Sequence, residues 1–420
     1  MQTLFSRRML LKLMGLGVAS ALTPGALRAE SLSKVVVVGG GFAGSTVAKY
    51  LKLWGGSSVD VTLIESNSNY VSPILSNLVL NQTKSTADLT FNYDKHSATY
   101  GINVVHDTLY SIDKTNQQVN LTSGNLVEYD RLVLAPGIDF EDVSGLDFEK
   151  VPHAWKAGSQ TNLLRDLIAN MQDGDHFVMT VPKAPYRCPP GPYERACVVA
   201  DYLKNSKGFE NCLVTVLDAN PGITVEADTF SQKFSEYGVD YRANVVLSSV
   251  DSDALSVSFY QNSDTIQTIE ADVLNVIPNQ KAASLIFDAG LNQGNWAPVN
   301  PLNYESTLAE NIFIIGDSQA TSQPKAGHMG NSQAKICADG VLRSLNGMQP
   351  YAKPKTNSAC YSPVSSNQAT WLTAVYEYNS VTQDMKLVEA GNYPTAGAPS
   401  YQNYQDMFRW SENLFSDTFG

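Results

Sequence analysis

The chain has 420 residues, 43% of them hydrophobic and only 17% charged, with a formal net charge of −12. Such a composition builds a large core and excludes a disordered chain, and the length points to two or three domains. The negative balance disfavours nucleic acid and anionic lipid as partners and favours a basic or locally basic one.

The first 29 residues read as an export signal and stand outside the fold. Ser6-Arg-Arg-Met-Leu-Leu-Lys12 is a twin-arginine pattern, followed by an apolar stretch and small residues up to Ala29. That route carries folded proteins, so the expectation is a periplasmic protein that acquires its cofactor before export. Removing the segment takes away Arg7, Arg8, Lys12 and Arg28 and no acid, which lowers the net charge from −12 to −16. Beyond it, no run approaches the roughly 20 apolar residues that span a bilayer.

Lys34-Val-Val-Val-Val-Gly-Gly-Gly-Phe-Ala-Gly44 reads as a buried strand running into a helix that starts near Ala43. Gly39, Gly41 and Gly44 fill the pattern G-x-G-x-x-G. These glycines make a tight turn, let backbone approach a pyrophosphate and let the helix pack on the strand. The next strand, Val59-Asp-Val-Thr-Leu-Ile-Glu65, ends on an acid 26 residues after Gly39, placed to accept ribose hydroxyls. Tyr129–Gly137 is a further apolar strand with a tight turn, and Ala135 and Gly137 are grouped with the cofactor-binding residues.

A second α/β unit is expected over 151–282, with strands at His176–Val181, Leu213–Asp218 and Ala271–Ile277 and a helix from Tyr193 to Leu203. A second glycine-rich turn would fall directly after the first of these strands, where NAD(P)H pyrophosphate would bind. Instead the chain reads Val181-Pro-Lys-Ala-Pro-Tyr-Arg-Cys-Pro-Pro-Gly-Pro-Tyr-Glu-Arg-Ala196, with four prolines between Pro185 and Pro192. Proline fixes φ and has no amide donor, so this loop presents a thiol, Cys188, in place of a nicotinamide site.

The chain then returns to the first domain. Thr307–Asp317 is a hydrophobic strand delivering Asp317 where a ribityl hydroxyl needs an acceptor, and a helix follows Gln323-Pro-Lys-Ala-Gly327 to about Leu342. The positive end of that helix, with Lys325, is expected to face a flavin and to stabilise its reduced anion by ~0.3–2 kcal/mol. The cofactor domain thus covers 34–150 and 283–350. Residues 351–420 are aromatic and poorly periodic and read as an interface module. The class is α/β, with two Rossmann-like dinucleotide-binding domains and a C-terminal interface domain.

Five cysteines (188, 197, 212, 337 and 360) leave at least one unpaired. Connectivity cannot be counted from spacing, and Cys197, Cys212 and Cys337 lie in apolar contexts that suit packing. No C-x-x-C-H attaches a c-type haem, and the five histidines lack metal-ligand spacing, so no metal site is assigned.

With these residues in hand, the chain resembles the flavoprotein subunit of flavocytochrome c sulfide dehydrogenase, a relative of sulfide:quinone oxidoreductase and glutathione reductase. The resemblance covers essentially the whole chain after the signal. It is carried by Pro152–Gly158, the Tyr186–Ala196 loop, Pro324-Lys325 with Asn331-Ser-Gln333, Cys360-Tyr-Ser362 and Asp417-Thr-Phe-Gly420. It implies FAD as cofactor and a redox-active disulfide between Cys188 and Cys360, attacked by sulfide to give a persulfide. It also implies Glu194 as base and a c-type cytochrome, subunit or soluble, as the acceptor of single electrons. One departure stands out: the family often attaches FAD through a cysteine where this chain has Pro73, so FAD is expected to be held non-covalently. Alternative readings are a sulfide:quinone oxidoreductase and a flavin-poor assembly subunit without activity.

Overall fold

The computed structural model describes residues 32–388 and 393–420; the export signal read at residues 1–29 lies outside them. Two parallel sheets carry the architecture. In the first, the strands lie in the order Ile312–Ile314, Arg131–Leu134, Ser33–Val38, Val59–Ile64 and Asn103–Val105. In the second, the order is Val273–Asn275, His176–Val181, Leu213–Asp218 and Asp240–Arg242. Counted along the chain, both run fourth, first, second, third, and the first sheet adds a fifth strand beside its fourth. Each also inserts a three-stranded antiparallel meander between its third and fourth strands: Leu109–Asp113, Gln118–Leu121 and Leu126–Glu128 in one, Val245–Asp251, Ser256–Gln261 and Ile266–Glu270 in the other. One plan is used twice, in the doubly wound manner of dinucleotide-binding folds.

The central strands form where β-branched residues run together. Val35, Val36 and Val37 are sealed from solvent on both faces, as parallel strands covered by helices must be. On one face lie two helices, Phe42–Gly55 and Gly327–Leu345, which pack against each other. The chain crosses between the sheets twice, side by side, where Ile138–Phe140 pairs antiparallel with Gln280–Ala282. Ser33–Gly420 forms one compact unit.

The tail is more regular than its sequence suggests. Lys355–Pro363, Ala369–Asn379 and Asp384–Leu387 make an antiparallel sheet, and Tyr401–Phe419 forms a helix. The helix starts at Ser400, whose Oγ accepts the Asn403 amide at 3.1 Å. Its buried face, including Met407, Leu414 and Phe419, turns inward, and Phe415 and Phe419 meet Phe42 at the start of the first helix. There Lys49 Nζ donates to the carbonyls of Ser416, Asp417 and Gly420 at 3.0–3.2 Å, supplying a cation to the carbonyl end of a helix. Asp417 in turn pairs with Lys335 at 2.8 Å and accepts from Tyr50 at 2.7 Å.

Candidate active site

The first strand of each sheet runs into a helix through a turn, and the two turns carry the chemistry. In the first, Gly39 has φ +98°, and a side chain there would meet the Ala135 carbonyl oxygen at 2.4 Å. A Cβ on Gly44 would meet the Gly39 oxygen at 1.7 Å, so only glycine lets the helix sit this close to the strand. Gly41 differs, since its Cβ would touch only the Tyr70 ring, at 3.3 Å, and it precedes a first helical turn with no acid and no side-chain cap. That end of the helix is open to an anion. Glu65 lies across the turn, accepting the Gly40 amide at 2.7 Å on one oxygen and the Asn67 amide at 2.9 Å on the other. Ala135 and Gly137 flank the same turn from the neighbouring strand, and Gly137 has φ +78°. Asp317 lies in the short turn after the fifth strand, Gly316–Ser318, and is half-buried. Burial raises its carboxyl, Arg187 and Lys325 pull it back down, and it makes no hydrogen bond among the described residues.

A half-buried acid without a hydrogen-bond partner, an uncapped helix start and a glycine turn without side chains suit the ribityl and pyrophosphate groups of FAD. Gly39, Gly41, Gly44, Glu65 and Asp317 would hold them. Lys325 is buried with its Nζ donating to the Gln319 carbonyl at 2.7 Å and lying 3.7 Å from the Trp296 ring centre. Desolvation pushes it down to about 8. Its charge therefore stands on the Asp317 side of the Gly327–Leu345 helix start.

The second turn is built differently. Cys188 adopts φ +58°, a left-handed conformation costly for a side chain, and is held by its amide on the Lys325 carbonyl at 2.7 Å and its carbonyl on the Gly191 amide at 2.9 Å. A Cβ on Gly191 would meet the Trp155 ring at 2.8 Å and Cys188 Sγ at 2.9 Å, so glycine is what lets the sulfur lie over the start of the Gly191–Asp201 helix.

Cys188, Glu194 and Cys360 line one pocket, together with Pro73, Asn77, Trp155, Arg187, Arg195, His328, Ser362 and Trp410. The sequence placed the two sulfurs 172 positions apart; the fold brings them together. The disulfide expected between them is not formed in this structure, where all five cysteines are free. Both are thiols, and burial pushes Cys188 up to about 12 and Cys360 well above the usual thiol range. Burial likewise raises Glu194 to about 8, against the Asn77 amide, which donates to Oε1 at 2.9 Å and lowers it. Arg195 is 1% exposed. It donates to Asn77 Oδ1, Asn275 Oδ1 and the carbonyls of His153 and Ala154 at 2.5–3.1 Å, with its guanidinium over Trp155. Burial lowers it to about 9, so it stays charged at neutral pH. Asn77 and Arg195 were not singled out as site residues in the sequence, although Arg195 falls inside the Tyr186–Ala196 loop and Asn77 lies four residues after Pro73.

The remaining cysteines stand apart. Cys197 and Cys337 are fully buried in helices, and Cys212 donates to the Gln172 carbonyl at 3.2 Å. Among the described residues, no cluster of His, Cys, Asp or Glu is placed to hold a metal and no helix is long and apolar enough to cross a membrane.

A glycine turn for a dinucleotide, an acid for its ribityl chain and a thiol pair beside it define an oxidoreductase of the pyridine nucleotide-disulphide oxidoreductase fold. The family model of that description matches residues 33–165. Two more specific ones match the rest: the central part of the sulfide dehydrogenase [flavocytochrome c] flavoprotein chain at 161–278, and the flavin-binding part of flavocytochrome c sulphide dehydrogenase at 352–419. The chain is a flavoprotein of the flavocytochrome c sulfide dehydrogenase type, and FAD-dependent sulfide oxidation is the activity of that family. Among curated proteins it is 21% identical to the mitochondrial sulfide:quinone oxidoreductase of Dictyostelium discoideum, over 83% of this chain and 78% of that one. It is 22% identical to the sulfide-quinone reductase of Aquifex aeolicus, over 78% and 80%. The crystal structure of the sulfide:quinone oxidoreductase from Aquifex aeolicus superposes with a TM-score of 0.77 at 17% identity, covering 92% of each chain.

Proposed function

We propose that this protein oxidises sulfide at the Cys188–Cys360 pair in its disulfide form and passes the electrons through non-covalently bound FAD to a c-type cytochrome in the periplasm. The observation that carries the reading is the convergence of two sulfurs and one acid of raised proton affinity in a single pocket. In the oxidised pair, HS⁻ attacks one sulfur, a new S–S bond forms, the Cys188–Cys360 bond breaks, and the other sulfur leaves as a thiolate. Over the full reaction HS⁻ yields zero-valent sulfur, one proton and two electrons. FAD, when bound, supplies the two-electron acceptor. Glu194, once ionised, takes the proton; Arg195 and Asn77 hold that carboxylate in place; Trp155 and Tyr361 wall the pocket from water.

Pro73 lines the same pocket and offers no nucleophile, which supports a releasable flavin. The acidic surface and the flavocytochrome description of the two family models favour a cytochrome. The names of the curated relatives favour a quinone, and one experiment separates them. Anaerobic sulfide should bleach the flavin, horse cytochrome c should reoxidise it faster than a soluble ubiquinone analogue does, and acid precipitation should leave the yellow colour in the supernatant. Reoxidation by the quinone alone would assign the other acceptor, and no bleaching by sulfide would overturn the reading.

A further inference from the structure

Beyond the pocket lies a second, half-buried acid that the mechanism above does not use. Glu226 precedes the Ala227–Tyr237 helix in a left-handed conformation, φ +51°. Its Oε1 accepts from Thr370 Oγ1 at 2.6 Å, while Oε2 is sealed from solvent without a partner. Thr370 is the cross-strand neighbour of Ser362, and such neighbours lie side by side on one face. Ser362 Oγ is also buried and unpartnered, yet near enough to Glu194 to lower its carboxyl. Alternation along the strand sets Ser362 on the same face as Cys360, and the charge of Glu226 raises the Cys360 thiol.

Native folds rarely leave buried oxygens unpaired, and two in one place call for a reason. A hydroxyl can accept one proton while releasing another, and a carboxylate can store one. The line runs from Glu194, 7% exposed, to Glu226, which is only half-buried and precedes the exposed Ala227.

We propose that Glu226 is the proton outlet of this site: the proton left on Glu194 passes along the neighbouring Ser362 and Thr370 hydroxyls to Glu226 and from there to solvent. This rests on the reading of Cys188, Cys360 and Glu194 as the sulfide site. Ser362 takes the proton of Glu194 and releases its own to Thr370, Thr370 releases its proton to Glu226, Glu226 becomes neutral and then loses the proton to water, and no electrons move. Burial raises both acids, Glu194 to about 8 and Glu226 to about 7, so the outer one ionises first and stands open to receive a proton that it then loses to water. The groups facing Glu226 are Thr370 and Cys360 from the C-terminal sheet and Glu194 from the Gly191–Asp201 helix; on its own helix Lys233 is paired with Glu236 at 2.9 Å.

The test compares holoenzyme with Glu226→Gln and Glu226→Asp, using sulfide and cytochrome c across pH, in H₂O and D₂O, with and without imidazole as an external proton acceptor. Glu226→Gln should lower steady-state turnover about tenfold or more, raise the solvent isotope effect and regain rate with imidazole, while first-turnover flavin bleaching stays near wild type. Glu226→Asp, which keeps a carboxylate, should retain more turnover than the amide and covers the case in which the amide fails to fold. A second readout needs neither flavin nor sulfide: in the reduced Cys188→Ser background, alkylation of Cys360 by iodoacetamide should reach its midpoint at lower pH in Glu226→Gln. Wild-type turnover and isotope effect in Glu226→Gln, or a loss that imidazole does not restore, would overturn the outlet. Failure of wild-type enzyme to bleach with sulfide would instead overturn the sulfide reading, and the alkylation shift would still report whether Glu226 acts on Cys360.

Discussion

The two strand-to-helix turns occupy the same place in two sheets of the same order, yet one is made for a ligand and the other for a sulfur. At Gly39–Gly44 the helix start is uncapped and free of acids, and the glycines remove every side chain that would block backbone from phosphate. At Pro182–Pro192 the prolines withdraw amides, a left-handed residue aims Cys188, and an acid, Glu194, stands in the first helical turn. Fold alone does not settle function; here the two copies of one scaffold position differ in the backbone donors they expose, amides at the first and a proline-flanked thiol at the second.

Alanine at the corresponding glycines should break this contrast most sharply. Gly44→Ala drives a methyl into the Gly39 carbonyl oxygen at 1.7 Å, so the protein should purify colourless, without flavin absorbance. Gly191→Ala, whose methyl meets Trp155 and Cys188 Sγ, should stay yellow and lose reactivity with sulfide; loss of flavin from both variants would erase the distinction. Cys188→Ser and Cys360→Ser should each keep the flavin and lose sulfide-driven bleaching by several orders of magnitude in stopped flow, whereas serine at Cys197, Cys212 or Cys337 should leave turnover in place.

A smaller effect is expected at the acid. Glu194→Gln should slow the reaction by ~10²–10⁴. In wild type, activity should rise with pH as the carboxylate forms near 8, and that limb should vanish in the variant while any limb due to sulfide itself remains. Stability should run the other way. The folded carboxyl sits at about 8 against an ordinary 4.5, so its contribution is present below 4.5 and lost as pH rises through 8; Glu194→Gln should flatten that slope in thermal melts. The smallest effect is none at all: NADH and NADPH should leave the flavin oxidised over seconds, and rapid bleaching would restore a nicotinamide site to the proline turn.

What could be read in the sequence depended on how local the cause was. The central strands announced themselves through β-branched runs such as Val35–Val38, and the glycine turn through its spacing. The meanders did not, because strands such as Val245–Asp251 bury only their ends, at Val245 and Val250, and carry no run of apolar residues inward. The C-terminal sheet hid for another reason: Ser358, Thr370 and Ala374 fill inward positions, so hydropathy does not alternate where burial does. The pocket's polar frame was beyond reach altogether, since Asn77 meets Glu194 and Arg195 across 117 and 118 positions. The meeting of the two sulfurs was likewise out of reach of spacing, since 172 positions separate Cys188 from Cys360 and only the fold brings both to one pocket.

The clasp between the last helix and the first carries a consequence for how the protein is made. Thr46 meets Thr418 across 372 positions, and Lys49 reaches Gly420 across 371. Contacts so distant in sequence form slowly, after local structure has condensed, because a long loop must close before they reward it. Folding should therefore pass through a stage in which both sheets exist while the aromatic lid of Phe415 and Phe419 has yet to settle on Phe42. That stage leaves the glycine turn accessible, and pulse-labelled hydrogen exchange should find Tyr401–Phe419 among the last segments to gain protection. The last helix should then close over the first only after the turn that takes the cofactor is in place.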